Sequence, residues 1–164
     1  MEPKKEVVPA LYGHIAHIAE NIRPADKREL ADIWCQSPVV ALTDSLKQSS
    51  HAWTGLVDDE PICMFGVVPA GILGDIGRPW MIGTDKLDKY AVIFLRRCAP
   101  CVELMQREYS MLLNMVAAEN KMGVRWLKWL GFKMGEVEQY GPTTIRKFHK
   151  ARQHNGMQHT GHAE

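Results

Sequence analysis

The sequence predicts an α/β domain built on one central mixed β-sheet with helices on both faces. Three observations carry that expectation. Strand-like and helix-like segments follow one another as strand, two helices, three strands, helix, strand, helix, two strands. The hydrophobic share, 46% of 164 residues, is enough to bury a core. The length is that of one ordinary domain rather than two.

Residues 1–11 read as an N-terminal extension, 12–148 as the domain, and 149–164 as a disordered, histidine-containing tail. Tyr12 to Ile22 alternates loosely and is expected as the first strand. Arg23-Pro24-Ala25-Asp26 breaks that pattern and opens a helix, because Pro24 restricts the residue before it and Asp26 suits a first helical turn. Leu30, Ile33 and Trp34 form its buried stripe. A second helix follows Pro38, from about Val39 to Lys47.

Ala52–Val57 and Ile62–Val68 read as a hairpin around the turn residues Asp58-Asp59-Glu60-Pro61. Pro69 to Pro79 holds Gly71, Gly74 and Gly77 and is expected as a loop before a short strand, Trp80-Met81-Ile82. Thr84 or Asp85 can cap the long helix that follows. Its apolar positions include Leu87, Tyr90, Ala91, Phe94, Cys98, Val102 and Met105, and Pro100 should kink it. Tyr109–Val116 is a further strand. Asn120–Leu130 is a short helix that Gly131 ends in a left-handed conformation. Glu136–Tyr140 and Thr143–Phe148 form the last hairpin.

Twenty basic residues against 19 acidic give a formal charge of +1, so the bulk charge points neither to nucleic acid nor to a membrane. No apolar h-region follows the charged N-terminus and no apolar run is long enough to span a bilayer, so the chain is expected to be soluble. Cys98-Ala-Pro-Cys101 has the C-x-x-C form, but it lies within a helix-like stretch rather than at a helix start after a strand; small apolar helix residues explain it. Cys35 and Cys63 stand alone, and no metal site is expected. His149, His154, His159 and His162 are spread through the tail. Lys121, Arg125 and Lys128 line one side of the short helix; they can meet nucleic acid or an acidic partner, and a solvated face is the simpler reading.

The stretch Val116–Phe132, VAAENKMGVRWLKWLGF, resembles the strand-to-helix segment of GNAT acetyltransferases, in which asparagine opens a helix that closes on Gly-Phe. Asn120, Gly131 and Phe132 match, and the order of elements over residues 12–148 agrees. A narrower resemblance is to the GNAT-like internal virion proteins of short-tailed bacteriophages. It rests on Pro61–Asp85, where a hairpin proline precedes an apolar strand, a glycine-containing loop and a Trp-led strand. It rests also on Arg125, Trp126, Leu127, Leu130, Gly131 and Phe132.

The resemblance implies a GNAT-like sheet and, for an active enzyme, acetyl-CoA with its pyrophosphate on backbone N–H groups at the start of the central helix. The family sequence there is Gln/Arg-x-x-Gly-x-Gly/Ala. This chain has Gly83-Thr84-Asp85-Lys86-Leu87-Asp88, in which Asp85 and Asp88 oppose phosphate. By resemblance, the candidate cofactor-binding residues are Gly83, Thr84, Lys86 and Asn120. The tyrosine that commonly protonates the departing thiolate, four residues before the closing glycine, is replaced by Leu127. Glu119 is the candidate catalytic base.

The resemblance thus implies a phage-encoded protein of the virion or host cytoplasm, with acetyl transfer weakened or lost. Its partners would be other virion proteins or a host protein. The alternative is an active acetyl-CoA-dependent N-acetyltransferase acting on a host protein or small amine; a third reading is a small nucleic-acid-binding module. Without a cofactor, the GNAT sheet leaves a V-shaped gap, here between Trp80–Ile82 and Tyr109–Val116. Water, a side chain or a partner segment should satisfy the strand edges there.

Overall fold

The computed structural model describes residues 1–153. Seven strands form one sheet in the order β1-β2-β3-β4-β5-β7-β6. They are β1 Lys5–Pro9, β2 His51–Val57, β3 Glu60–Ala70, β4 Ile76–Gly83, β5 Met111–Ala117, β6 Lys133–Tyr140 and β7 Thr143–Ala151. The helices are α1 Ile15–Glu20, α2 Pro24–Trp34, α3 Pro38–Gln48, α4 Ala91–Glu108 and α5 Lys121–Trp129. Every neighbouring pair of strands is antiparallel except β4 and β5.

Helices cover both faces of the sheet, as expected. On one face α1–α3 pack Ile15, Ile18, Leu30, Ala41 and Leu42 against Met64 and Ile82. On the other, α4 sets Phe94 and Cys98 against Ile62, Cys63 and Phe65, with Trp126 of α5 beside them. Val102 and Met105 of α4 continue that layer onto Leu112, Val116 and Phe148. Proline at the first helical positions starts both α2 and α3, since a missing N–H costs nothing there. Asp58 and Asp59, both at positive φ (47° and 64°), make the tight β2–β3 turn. α4 runs unbroken through Pro100, which lies on its exposed side.

Three expectations need correction. Tyr12–Ile22 is not a strand: Tyr12–His14 is a 3-10 turn that leads into α1. Its apolar residues Ile15 and Ile18 are three apart, the helical spacing, and both are buried. The first strand lies earlier, within residues 1–11, where Lys5–Pro9 pairs with β2 as an edge of the sheet. Second, most of Pro69–Pro79 is strand, and only residues 71–75 form the loop. Gly77 is a packing glycine rather than a turn glycine, because a Cβ there would sit 2.7 Å from both the Tyr109 ring and Val67. Third, β7 carries the ordered chain through His149 to Ala151, past the expected start of the tail. His154, His159 and His162 lie outside the described residues.

The end of α5 follows expectation. Gly131 takes φ +90°, Phe132 N–H donates to the Leu127 carbonyl at 2.9 Å, and Gly131 N–H donates to Lys128 at 3.0 Å. This double closure ties off the last carbonyls of the helix.

Candidate functional site

Among the described residues β4 and β5 are the one parallel pair, and they stay together only at Ile76–Met111 and Gly77–Leu112. Beyond those two pairs the strands part. A cavity of about 220 Å³ opens between them, walled by Trp34, Trp80, Met81, Trp126, Leu127 and Phe148. Parting exposes two strand edges, and buried backbone groups need partners.

Side chains supply them. Near the start of the gap Asn114 Nδ2 donates to the Pro79 carbonyl at 2.8 Å, while its Oδ1 accepts Met115 N–H at 2.8 Å. At the far end α2 reaches both strands. Asp26 Oδ2 accepts Gly83 N–H of β4 at 2.8 Å, and Glu29 Oε1 accepts Ala117 N–H of β5. Arg23 N–H donates to the Gly83 carbonyl at 2.9 Å. One helical turn thus clamps β4 and β5 where they no longer clamp each other.

The two carboxyls pay for this position in solvation. Asp26 is 4% exposed, and burial raises its pKa above the usual carboxylate range. The Arg23 guanidinium, 3.2 Å away, and the Gly83 N–H oppose that rise. Glu29 has no such close cation. Burial pushes it from the ordinary 4.5 up to about 7, with the Ala117 N–H pulling the other way. The sequence reading missed both residues. Their signal was position: Asp26 and Glu29 stand four residues before Leu30 and Ile33, on the stripe that turns inward.

The residues named from the sequence fall in different places. Gly83, Thr84 and Lys86 lie at the end of β4 and in the 3-10 turn Asp85–Tyr90, which separates β4 from α4. Neither Thr84 nor Asp85 caps α4, which begins only at Ala91. Asn120 caps α5, its Oδ1 accepting Gly123 N–H at 3.1 Å, and it lines the cavity. Glu119 is exposed and takes no part in the cavity wall. Leu127, in the position of the missing tyrosine, does line it.

The turn from Gly83 to Asp88 does not fit a pyrophosphate. Its leading N–H groups are already committed: Gly83 to Asp26, Thr84 to the Ile62 carbonyl at 2.8 Å, and Asp85 to the Asn21 carbonyl at 3.1 Å. A bridge between Ile22 and Thr84 holds the turn against the chain before α2. Lys86 is tied to Glu60 at 2.6 Å, and Asp88 faces Arg23 at 3.4 Å. Gly83 serves close packing instead, since a Cβ would come within 2.4 Å of Leu87. Thr84 Oγ1 is buried with no hydrogen-bond partner.

The cysteines are free, and Cys98 is buried in α4 with its thiol pushed up by burial. Burial likewise lifts Cys101 to about 11, away from a reactive thiolate. No helix among the described residues is long and apolar enough to cross a membrane.

No family model and no curated protein matches the sequence. Solved structures do match the backbone. The GNAT domain of S. lividans PAT aligns with a TM-score of 0.66 over 90% of each chain, at 13% identity. A GNAT-family acetyltransferase from Streptococcus pneumoniae aligns at 0.62 over 90% of this chain and 99% of its own, at 9% identity. Aminoglycoside acetyltransferase AAC(6')-Ib in complex with coenzyme A gives 0.63 over 91% and 95%, at 12% identity. The chain has the GNAT fold. At these identities the likeness carries the fold and not the activity. The expected GNAT gap between the parallel strands is present, and side chains of the protein itself take up Gly83 N–H, Ala117 N–H and the Pro79 carbonyl on its edges.

Proposed function

We propose that this chain is a GNAT-fold protein of a phage, acting in virion assembly or as an internal virion component through protein contacts, with acetyl transfer weakened or lost. The observation that carries the loss of chemistry is the clamp at the gap. Asp26 and Glu29 hold the Gly83 and Ala117 N–H groups, and the turn before α4 has no free N–H groups to spare at its start. An anionic cofactor would meet the Asp26 and Glu29 carboxyls in the gap and Asp85 and Asp88 in the turn that follows β4. The phage assignment is supported by the sequence resemblance over Pro61–Asp85 and Arg125–Phe132. Contacts with virion or host proteins are supported by Ile72 and Leu73, two large aliphatic residues fully exposed at the tip of the β3–β4 hairpin.

Acetyl-CoA at millimolar concentration tests the loss of chemistry. A ligand present at about 100 times its Kd stabilises a fold by about 2.7 kcal/mol, which a melting curve detects easily. The expected shift is negligible, and a saturating rise in Tm would refute the loss of cofactor binding. Mass spectrometry of purified particles tests the virion location, and absence of the chain from them would remove it.

One observation favours the second reading, an active N-acetyltransferase. Glu29 lines the gap, and burial pushes it up to about 7, which suits a general base. AAC(6')-Ib structures with ribostamycin and coenzyme A show the fold with both occupants. In this reading acetyl-CoA would supply the acetyl group and coenzyme A would leave as its thiol, while Glu29 would hold the proton given up by the amine. The same melting experiment separates the two readings.

A further inference from the structure

The near-neutral total charge hides an uneven distribution. Residues 1–119 carry 12 Lys and Arg against 16 Asp and Glu, whereas residues 120–152 carry eight against two. The basic segment, a fifth of the chain, is α5 with the β6–β7 hairpin. Lys121, Arg125 and Lys128 are exposed along α5, four and three residues apart, and so share one side of it. None of the three makes an ion pair among the described residues, although Lys4, Arg23, Lys86 and Lys147 do. A fourth cation sits at the helix end: Lys150 Nζ donates to the Leu130 carbonyl at 2.7 Å, which anchors its ammonium at the C-terminal end of α5.

Among these cations stands Trp129. It is 55% exposed, while Trp126 three residues earlier is 8% exposed and Trp34, Trp53 and Trp80 are partly buried. The core does not need Trp129, because α5 is already seated by Val124 and Trp126, with Leu127 and Leu130 at its margin. Exposing a large aromatic ring forgoes burial and invites contact. The helix beneath it is rigidly closed, by the Asn120 cap at one end and the Gly131–Phe132 closure at the other.

We propose that this side of α5, with Lys150, binds single-stranded nucleic acid. Cations in line meet successive phosphates, and an exposed indole offers a flat surface to a base. Lys121 to Lys128 spans about 10 Å along the helix axis. The three cations along that span can meet up to three phosphates of one strand. The ring selects single strands over duplex, whose bases are stacked on one another and present no free face. Over an acidic peptide, it selects a ligand that has planar groups beside its charges.

Fluorescence anisotropy of a labelled oligothymidylate with the full chain tests this. Binding is expected at low ionic strength, with log K falling against log salt at a slope of about −2 to −3 for three or four phosphates. Replacing Lys121, Arg125 and Lys128 together by Gln should flatten that slope by about 2. Trp129→Ala should weaken binding about 5- to 100-fold and leave the slope unchanged. All four positions are exposed, so unchanged melting curves will show that the variants are folded. No binding at low salt would overturn the proposal. So would a duplex bound as tightly as the single strand, or Trp129→Ala without effect while polyglutamate competes equally, which would mark a general anion surface.

Discussion

Glu29→Gln isolates the electrostatic cost of the clamp. In the fold Glu29 keeps its proton up to about pH 7, against an ordinary 4.5. Between those values the folded state binds more protons than the unfolded chain, so stability falls as the pH rises through that window and levels off above it. At 1.36 kcal/mol for each pH unit, the ionised carboxylate costs the fold about 3 kcal/mol above pH 7. Gln removes the charge and keeps an oxygen to accept Ala117 N–H. The variant should therefore match the parent near pH 4.5 and exceed it by about 2–3 kcal/mol at pH 8. For a domain of this size that is a rise in Tm of roughly 5–10 °C. Urea or thermal unfolding across the pH range, parent and variant side by side, measures the difference. Asp26 titrates in both proteins, so comparison removes most of its contribution. Parallel stability curves from pH 4.5 to 8 would refute the reasoning, since they would mean that Glu29 ionises freely in the fold.

Gly77→Ala should cost about 1–3 kcal/mol in chemical unfolding, because the new methyl meets the Tyr109 ring and Val67 beside one of the two pairs that join β4 to β5. Asn120→Ala should cost about 1 kcal/mol by loss of the α5 cap, read from the same curves. Leu127→Ala should cost about 1–2 kcal/mol, below the 2–5 typical of a sealed core leucine, since Leu127 is partly buried and borders the cavity. A loss above that range would mean the cavity is closed around it.

The order of elements was legible because short-range chemistry marks their ends. Pro24 and Pro38 announce two helices, Asp58-Asp59 a hairpin, and Asn120 with Gly131 the two ends of α5. Misreadings arose where one residue type serves two purposes. Gly77 looked like loop and is strand, because only the Tyr109 ring, far along the chain, explains it. Tyr12–Ile22 holds enough apolar residues for either periodicity, and its packing under α3 decides for helix. At the site, the shortage of glycine after β4 was visible, and the structure adds that the N–H groups there are spent. Asp26 and Glu29 could not be assigned, since their partners lie 57 and 88 residues away and no local pattern links a helical carboxylate to a distant strand edge.

A parted parallel pair can satisfy its inner edges in only a few ways. An extended ligand can lend its amides, water can enter, or side chains can reach in. Water alone suits an open, polar gap, but this one is walled largely by tryptophan, leucine and phenylalanine. Carboxyl groups reach the edge N–H groups from a helix and accept from them at the cost of their own hydration, and the bond is charge-assisted once the group is ionised. The raised pKa of both residues is the mark of that cost. Any ligand that needs the Gly83 or Ala117 N–H must displace the clamp and leave a buried carboxyl without its donor, which costs about 1–3 kcal/mol or more for each. The gap therefore keeps its shape while these two N–H groups lose their availability. An unclamped variant, not the parent, is the protein in which residual affinity for a cofactor should first appear.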